Sequence, residues 1–360
     1  MKRRAWISVV ALTAVLCSVS ILGYQRWRAQ NGAARSDALA LMPPEASAVL
    51  FADFEDLRRA PFFAQLFAWA PKPQADADYA EFLRSTGFDY ERDLDRLAAA
   101  VLRRGKDSSL FAVADGKFDR EKITAYARKV GSAANNGSRE IFSVPLSGSP
   151  RKISFTFLSR TRMALTDDAD LAVFLTARKT NADAAEWRTR FERLAGSPVF
   201  AVIRQGPGTG TELAAQAPGG LRSPELSTLL DQLQWITLAG KPENDRLRVV
   251  AEGECTAEAT ARQLADLLNG VVILAQAGLN DAKTRQQLDP AAREAFLELL
   301  KSADVSKLDR GDTKSVRVIL EFTPKFLDAT RTASPAIPPN TTPNTPQPQK
   351  STPQKKKGHT

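Results

Sequence analysis

The chain has 360 residues, 43% of them hydrophobic, with 50 Lys+Arg against 41 Asp+Glu and a formal net charge of +9. The excess sits at the two ends: residues 1–35 hold six basic residues and no acid, residues 332–360 hold four Lys and no acid, and residues 36–331 are left at −1. A body that close to neutral lacks the concentrated basic surface of a nucleic-acid-binding domain, so no nucleic-acid partner is expected. The single histidine is His359 and the two cysteines are Cys17 and Cys255. The body between the ends therefore has no Ser-His-Asp or Cys-His catalysis, no His- or Cys-clustered metal centre and no internal disulfide. No catalytic residue, cofactor or metal ligand is assigned.

Met1-Lys2-Arg3-Arg4 precede an uncharged apolar run, Ala5–Tyr24, which Gln25-Arg26-Trp27-Arg28 close. Twenty helical residues span roughly 30 Å, the thickness of a bilayer core, and Trp6, Tyr24 and Trp27 lie where interfacial aromatics sit. The run is longer than the apolar core of a secretory signal and is followed by arginines. It reads as a single-pass transmembrane signal anchor of the cytoplasmic membrane, with the bulk of the chain extracytoplasmic under the positive-inside rule. Three weaker alternatives stay open. They are cleavage near Gly32-Ala33-Ala34, a lipoprotein on Cys17 (preceded by the poorly suited Leu16), and twin-arginine export through Arg3-Arg4.

Beyond a linker ending at Arg35, the sequence divides into a first module over 36–195 and a second over 196–331. In the first, Ser47–Phe54 reads as a strand, with Asp53 or Asp56 capping a helix that Pro61 starts or restarts. A helix over Tyr79–Phe88 precedes two strands, Arg96–Arg103 and Ser109–Asp115, joined across Gly105-Lys106-Asp107. Asp119 caps a helix with Ile123, Tyr126, Ala127 and Val130 at helical spacing, and Gly131 ends it. Strands follow at Glu140–Val144, Lys152–Leu158 and Arg162–Thr166, the second alternating Ile153, Phe155 and Phe157 with Ser154 and Thr156. Asp167 or Asp168 then caps Leu171–Arg178.

The second module has strands over Pro198–Arg204, Gln234–Gly240, Arg246–Gly253 and Thr313–Phe322. Thr256 caps a long helix striped by Leu264, Leu267, Leu268, Val271 and Val272. Leu110, Val113 and Gly116 match Leu247, Val250 and Gly253, about 137 residues apart. Such a recurrence fits two related modules and fits generic strand-turn-strand similarity equally well. Short turns between consecutive strands imply antiparallel pairing. The expected class is α+β, antiparallel sheets with helices packed on one face. Thr332–Thr360 is rich in Pro, Gln and Thr and reads as a disordered basic tail.

Candidate sites reduce mostly to structure. Gly206-Pro207-Gly208-Thr209-Gly210-Thr211 follows a strand but fails the dinucleotide fingerprint at Thr211 and Leu213, and has no Gly-Lys-Ser/Thr. Asp167-Asp168-Ala169-Asp170 lacks the spacing of a calcium loop and is better spent on capping. Asp53, Glu55 and Asp56 offer a carboxylate pair of the kind glycoside hydrolysis needs, though acids are abundant. Cys255 follows an apolar strand with no histidine to activate it. Val271–Ala275 is too short for a second span between Asp266, Asn269 and Gln276. Phe51, Phe54, Phe62, Phe63, Phe67 and Trp69 form an aromatic cluster that is core by default and a lipid or protein patch where exposed.

Leu41-Met42-Pro43-Pro44-Glu45-Ala46-Ser47-Ala48-Val49-Leu50-Phe51-Ala52-Asp53, together with Gly116-Lys117-Phe118-Asp119 before a helix, resembles the pattern of certain uncharacterised bacterial envelope proteins over residues 41–178. The resemblance implies a membrane-anchored extracytoplasmic protein and carries over no site residue. The expected function is thus a non-catalytic binding or scaffold protein of the envelope, with the membrane as one partner through residues 5–24 and an envelope protein or lipid as another. The alternatives are a carboxylate- or Ser/Lys-dependent hydrolase, and a structural component whose Lys350 and Lys355–Lys357 touch an anionic polymer. Oligomeric state is not encoded in any motif.

Overall fold

The computed structural model describes residues 32–69, 77–104, 107–147, 149–168, 170–176, 182–206, 224–311 and 313–333. The apolar run 5–24, the Gly/Pro loop beyond Gly206 and the tail beyond Ala333 lie outside them.

A first helix, α1, covers 32–40. Strand β1 (Ala48–Asp53) stops where Asp53 turns its carboxylate onto the Asp56 amide, 3.0 Å away, and caps α2 (Phe54–Arg59). Pro61 opens α3 (Pro61–Trp69), since its missing N–H is one that a first helical turn leaves unpaired anyway. Helices α4 (Ala77–Thr86) and α5 (Tyr90–Asp93) lead to the hairpin β2 (Leu94–Arg104) and β3 (Asp107–Gly116). Asp119 caps α6 (Arg120–Val130) by accepting the Lys122 amide, and Gly131 closes it, as the spacing predicts.

Strands β4 (Ser132–Asn136), β5 (Arg139–Pro145), β6 (Lys152–Phe157) and β7 (Arg162–Thr166) follow, then α7 (Leu171–Leu175) and α8 (Ala182–Arg193). The second half holds β8 (Val199–Arg204), α9 (Pro224–Asp231), the hairpin β9 (Leu233–Glu243) and β10 (Arg246–Cys255), and the long α10 (Glu258–Asn280). It ends with α11 (Ala282–Gln287), α12 (Pro290–Lys301), β11 (Asp304–Asp309), β12 (Lys314–Phe322) and α13 (Pro324–Ala333).

Several local expectations shift. The cap of α7 is Asp170, which accepts the Ala172 amide at 2.9 Å, and not Asp167 or Asp168. Asp167 is held elsewhere, on the Leu110 amide and Arg151, and the helix stops at Leu175 rather than Arg178. Thr256 does not cap α10: Ala257 holds that position without a side-chain bond, and the Thr256 amide donates to Gln232. Strand β4 carries no apolar alternation and is exposed throughout; the tight turn at Gly137 (φ 59) folds it back onto β5. Thr332 and Ala333 extend α13 rather than begin the tail.

All twelve strands form one antiparallel sheet in the order β11-β12-β10-β9-β8-β1-β2-β3-β7-β6-β5-β4. The α+β class with antiparallel pairing stands. A single sheet, however, runs through both halves, with β1 and β8 as the joint. Outward from it each half repeats one order: a first strand, a hairpin, and then a later strand, β7 or β12, beside the hairpin's second strand. A one-residue bulge interrupts both hairpins, at Asp95 in β2 and Gln234 in β9.

Helices cover both faces rather than one. Following the cross-strand register, Phe51, Phe111, Val113, Phe200 and Val202 point to one face, under α1, α7 and α8. Phe51 and Phe200 stack at 5.2 Å across the β1–β8 joint. The Arg35 guanidinium lies 5.0 and 4.8 Å from their centroids while donating to the carbonyls of Ala195 (2.7 Å) and Leu194 (2.8 Å) in the turn that follows α8. Burial pushes Arg35 down to about 10, opposed by Asp53. On the opposite face Ile123 and Ala127 of α6 pack on Phe142, Phe155 and Phe157, and Ala261, Leu264 and Ala265 of α10 pack on Leu233, Cys255 and Val316.

Candidate functional site

The sequence-selected residues are mostly absorbed by the scaffold. Asp53 and Glu55 do converge, but on Arg96, whose Nε reaches Asp53 at 3.0 Å and whose Nη2 reaches Glu55 at 3.3 Å. The register extends this into a cross-strand row, Asp53–Arg96–Asp115–Arg162, over β1, β2, β3 and β7. Arg162 grips Asp115 with bonds of 2.6 and 2.9 Å and also donates to the Ala34 carbonyl of α1 at 2.9 Å. Asp95 beside the row is raised, by burial first and Glu55 second, with Arg58 opposing from 3.0 Å. Alternating signs along neighbouring strands tie a sheet together. They do not leave a general acid and a base facing a common substrate.

A second ionic knot joins α8 to β10. The buried Glu254 carboxylate is held between Arg190 and Arg193, and Glu252 by Arg310 and Ser315. Burial alone would raise the Glu252 carboxyl, yet Arg310 and the Ser315 hydroxyl hold it below its ordinary value. Arg190 stacks over Trp235 at 3.9 Å, and Trp187 meets Trp235 edge-on at 4.8 Å. Two serines touch carboxylates here and at the surface, Ser315 on Glu252 (3.0 Å) and Ser147 on Asp78 (2.7 Å). In both, a carboxyl kept low is a poor base for activating a hydroxyl. Cys255 is buried and its thiol is pushed up to about 11, the condition of an inert cysteine.

The aromatic cluster splits. Phe51 and Phe62 are fully buried, Phe54 and Phe63 half-buried. Gly206 ends a described segment, and Pro207–Thr211 fall outside. Among the described residues no group of His, Cys, Asp or Glu could hold a metal ion, and no helix is long and apolar enough to cross a membrane. Two open recesses occur on the α1/α8 face. One of about 680 Å³ lies between α1 and α8 beside Arg35, Met42, Trp187 and Phe191, and one of about 710 Å³ lies over the Arg96–Asp115–Arg162 row. In the second the Arg96 and Asp115–Arg162 ion pairs occupy those side chains, and in the first Arg35 is spent on the carbonyls of Leu194 and Ala195.

What the elements leave uncovered is on the other face. Helix α6 covers β5–β7 and α10 covers β9–β12, while α2 lies against β2 at one strand end. Helices α3 and α13 also touch each other, and between α6 and α10 the middle strands keep three leucines exposed while Ala99 and Ala112 beside them are buried. Two cross-strand rows form the floor there: Ile236–Ile203–Ala48–Val101–Leu110 and Leu238–Ala201–Leu50–Ala99–Ala112. Leu50 is 43% exposed, and Leu110 and Leu238 38% each, high values for leucine within a sheet. No charged side chain belongs to either row. Gln205 prolongs β8 beyond the rows, its amide donating to the Gln234 carbonyl at 2.9 Å. Both polar atoms of its side chain are buried without a hydrogen-bond partner among the described residues. A buried polar group left unmet is costly.

The signal for this strip was present in the sequence, in β1 itself. Ala48-Val49-Leu50-Phe51-Ala52 is apolar at odd and even positions alike, so both faces of the strand require cover. Which face lacks it depends on where α6 and α10 land.

No protein-family model matches the chain, and no curated protein matches it. Among solved structures it is similar to TP0453. Crystal form III aligns with a TM-score of 0.44 at 10% identity, over 82% of this chain and 98% of that one. Form IV gives 0.42 at 11% identity, over 82% and 96%. Form I gives 0.39 at 10% identity, with the same coverage as form IV. Similarity that low assigns neither a family nor an activity to this chain.

Proposed function

We propose that this chain is a non-catalytic binding protein of the bacterial envelope, held in the cytoplasmic membrane by residues 5–24 with its body extracytoplasmic. The open apolar strip over β9–β8–β1–β2–β3 is the observation that carries the binding half of this reading. A soluble body gains by covering leucines and leaves a contiguous uncharged strip open where something else docks. The carboxylates of the ionic clusters, by contrast, are each held by arginine and tie elements together. The anchor half rests on the length of the uncharged run and its flanking arginines and aromatics.

The test is a topology and extraction experiment on the full chain. A reporter active only outside the cytoplasm, fused after residue 330, should be active, and the protein should resist alkaline carbonate extraction. Replacing Val9, Leu12 and Val15 with Lys should release it into the soluble fraction. An active cytoplasmic reporter at the same position, or full extraction of the parent chain, overturns the reading.

A further inference from the structure

We infer that the open strip is a binding site for the acyl chain of a single-chain amphiphile, such as a fatty acid or lysolipid taken up one molecule at a time. This deepens the binding reading above and rests on it. Leu238 and Leu110 lie on strands four intervals apart, so the strip runs about 19 Å across the sheet, and its two rows stand only about 7 Å apart along the strands. The floor alternates leucine with alanine: Leu238, Ala201, Leu50, Ala99. It is long, narrow and shallowly dimpled.

Four physical considerations select the occupant. An area of that size, on the order of 200 Å², falls far short of the roughly 800 Å² that each partner gives to a stable protein interface, which disfavours a second copy of the chain. The floor offers side chains without donors or acceptors, and its backbone groups are already paired within the ladder. An extended peptide laid on it would have its amides desolvated and unmet, whereas a hydrocarbon chain loses nothing. A helix with side chains is about 10–12 Å across, wider than the two rows. Flanking helices of that same thickness stand beside the floor on α6 and α10 and keep a flat bilayer surface away from it. That leaves a molecule that leaves the bilayer and enters the strip singly.

The experiment uses the full chain in phosphatidylcholine vesicles and a long-chain fatty acid carrying a photoreactive diazirine near its methyl end, with labelled peptides mapped by mass spectrometry. Labelling is expected on the peptides containing Leu50 and Leu238 as well as on residues 5–24. The double variant Leu50→Gln/Leu238→Gln should lose about tenfold of the strip labelling, near 1.4 kcal/mol of binding, with labelling of 5–24 unchanged. Leu50→Trp, which fills the strip while keeping it apolar, should lose a similar fraction and guards against a polar variant that fails to fold. Strip peptides that stay unlabelled while 5–24 labels normally overturn the acyl site and leave the anchor standing. Equal strip labelling in parent and both variants also overturns it. Strip labelling without labelling of 5–24 supports the site and counts against the anchor instead.

Discussion

Glu254 is the residue on which most of the second half's charge balance turns. Its carboxylate is 3% exposed and bridges Arg190 and Arg193, drawing α8 onto β10. Glu254→Ala removes the carboxylate partner of Arg190 and leaves Arg193 with Glu252 at 3.5 Å, and removing one partner of a buried pair typically costs about 3–5 kcal/mol. Urea denaturation should show a loss of that size. A loss below about 1 kcal/mol would mean that water reaches the arginines freely. Glu252, one pleat away, gives a pH dependence. Its folded pKa lies below the ordinary value of 4.5, so its contribution is complete above that value and fades as the pH falls through the lower folded one. Unfolding free energy should therefore decline on acidification below about pH 4.5. Glu252→Gln should flatten that slope, even while lowering stability at neutral pH. An unchanged slope would place the acid sensitivity in other carboxylates, with Asp93, held at about 2 by the Arg92 hydrogen bonds, the next to examine.

The α6 unit, with its cap, its closing glycine and the edge strands beyond, shows why local sequence reads well at helix ends and poorly at sheet edges. Asp119 and Gly131 were legible because each answers a local need, an unpaired amide at one end and a tight closure at the other. The closure is tighter than capping alone requires. A Cβ on Gly131 would lie 2.1 Å from the Ser143 carbonyl oxygen, a backbone atom that cannot step aside. Gly131→Ala is expected to destabilise by about 1–3 kcal/mol through overpacking, while Gly196→Ala, facing open space, should be near neutral. Comparable melting temperatures for the two variants would show that β5 yields locally. Beside this unit β4 carries no local signal, because an exposed edge strand has no buried face to impose an alternation. The apolar positions of α8, Trp187 and Phe191, are one turn apart and meet Trp235 edge-on and Phe200 at a tilt.

At the scale of the molecule, the division into modules at residue 195 falls between two strands that turn out to be neighbours. β1 and β8 pair along Ala48–Ala52, and one buried cluster runs from Val113 and Ala164 through Phe51 and Phe200 to Trp235 and Ala239. A core shared across that joint couples the halves. Thermal unfolding is expected as a single transition, with calorimetric and van't Hoff enthalpies equal and with far-UV and tryptophan signals coincident. Two resolved transitions would show that the β1–β8 ladder is a docking contact. Phe200→Ala, which opens the joint, should lower stability by about 3–5 kcal/mol and split the transition. The recurrence seen in the sequence also changes register here. Matched glycines are 137 residues apart, but the bulges at Asp95 and Gln234 are 139 apart and place Asp115 level with Glu254. Each of these acids is seized by arginine, Asp115 by Arg162 and Glu254 by Arg190 and Arg193.

The sequence by itself determined the composition of the body, its lack of histidine chemistry, the caps at Asp53 and Asp119, the two long hairpins and its α+β antiparallel class, because each of these depends on neighbours within a few residues or on counting. Only the tertiary structure decided the rest. It joined the strands into one sheet, neutralised Asp53, Glu55, Asp115, Glu252 and Glu254 with arginines from distant segments, and divided the aromatic cluster. It also left Leu50, Leu110 and Leu238 open. An apolar residue announces that it needs cover; whether cover arrives is settled by helices whose own positions depend on the whole sheet beneath them.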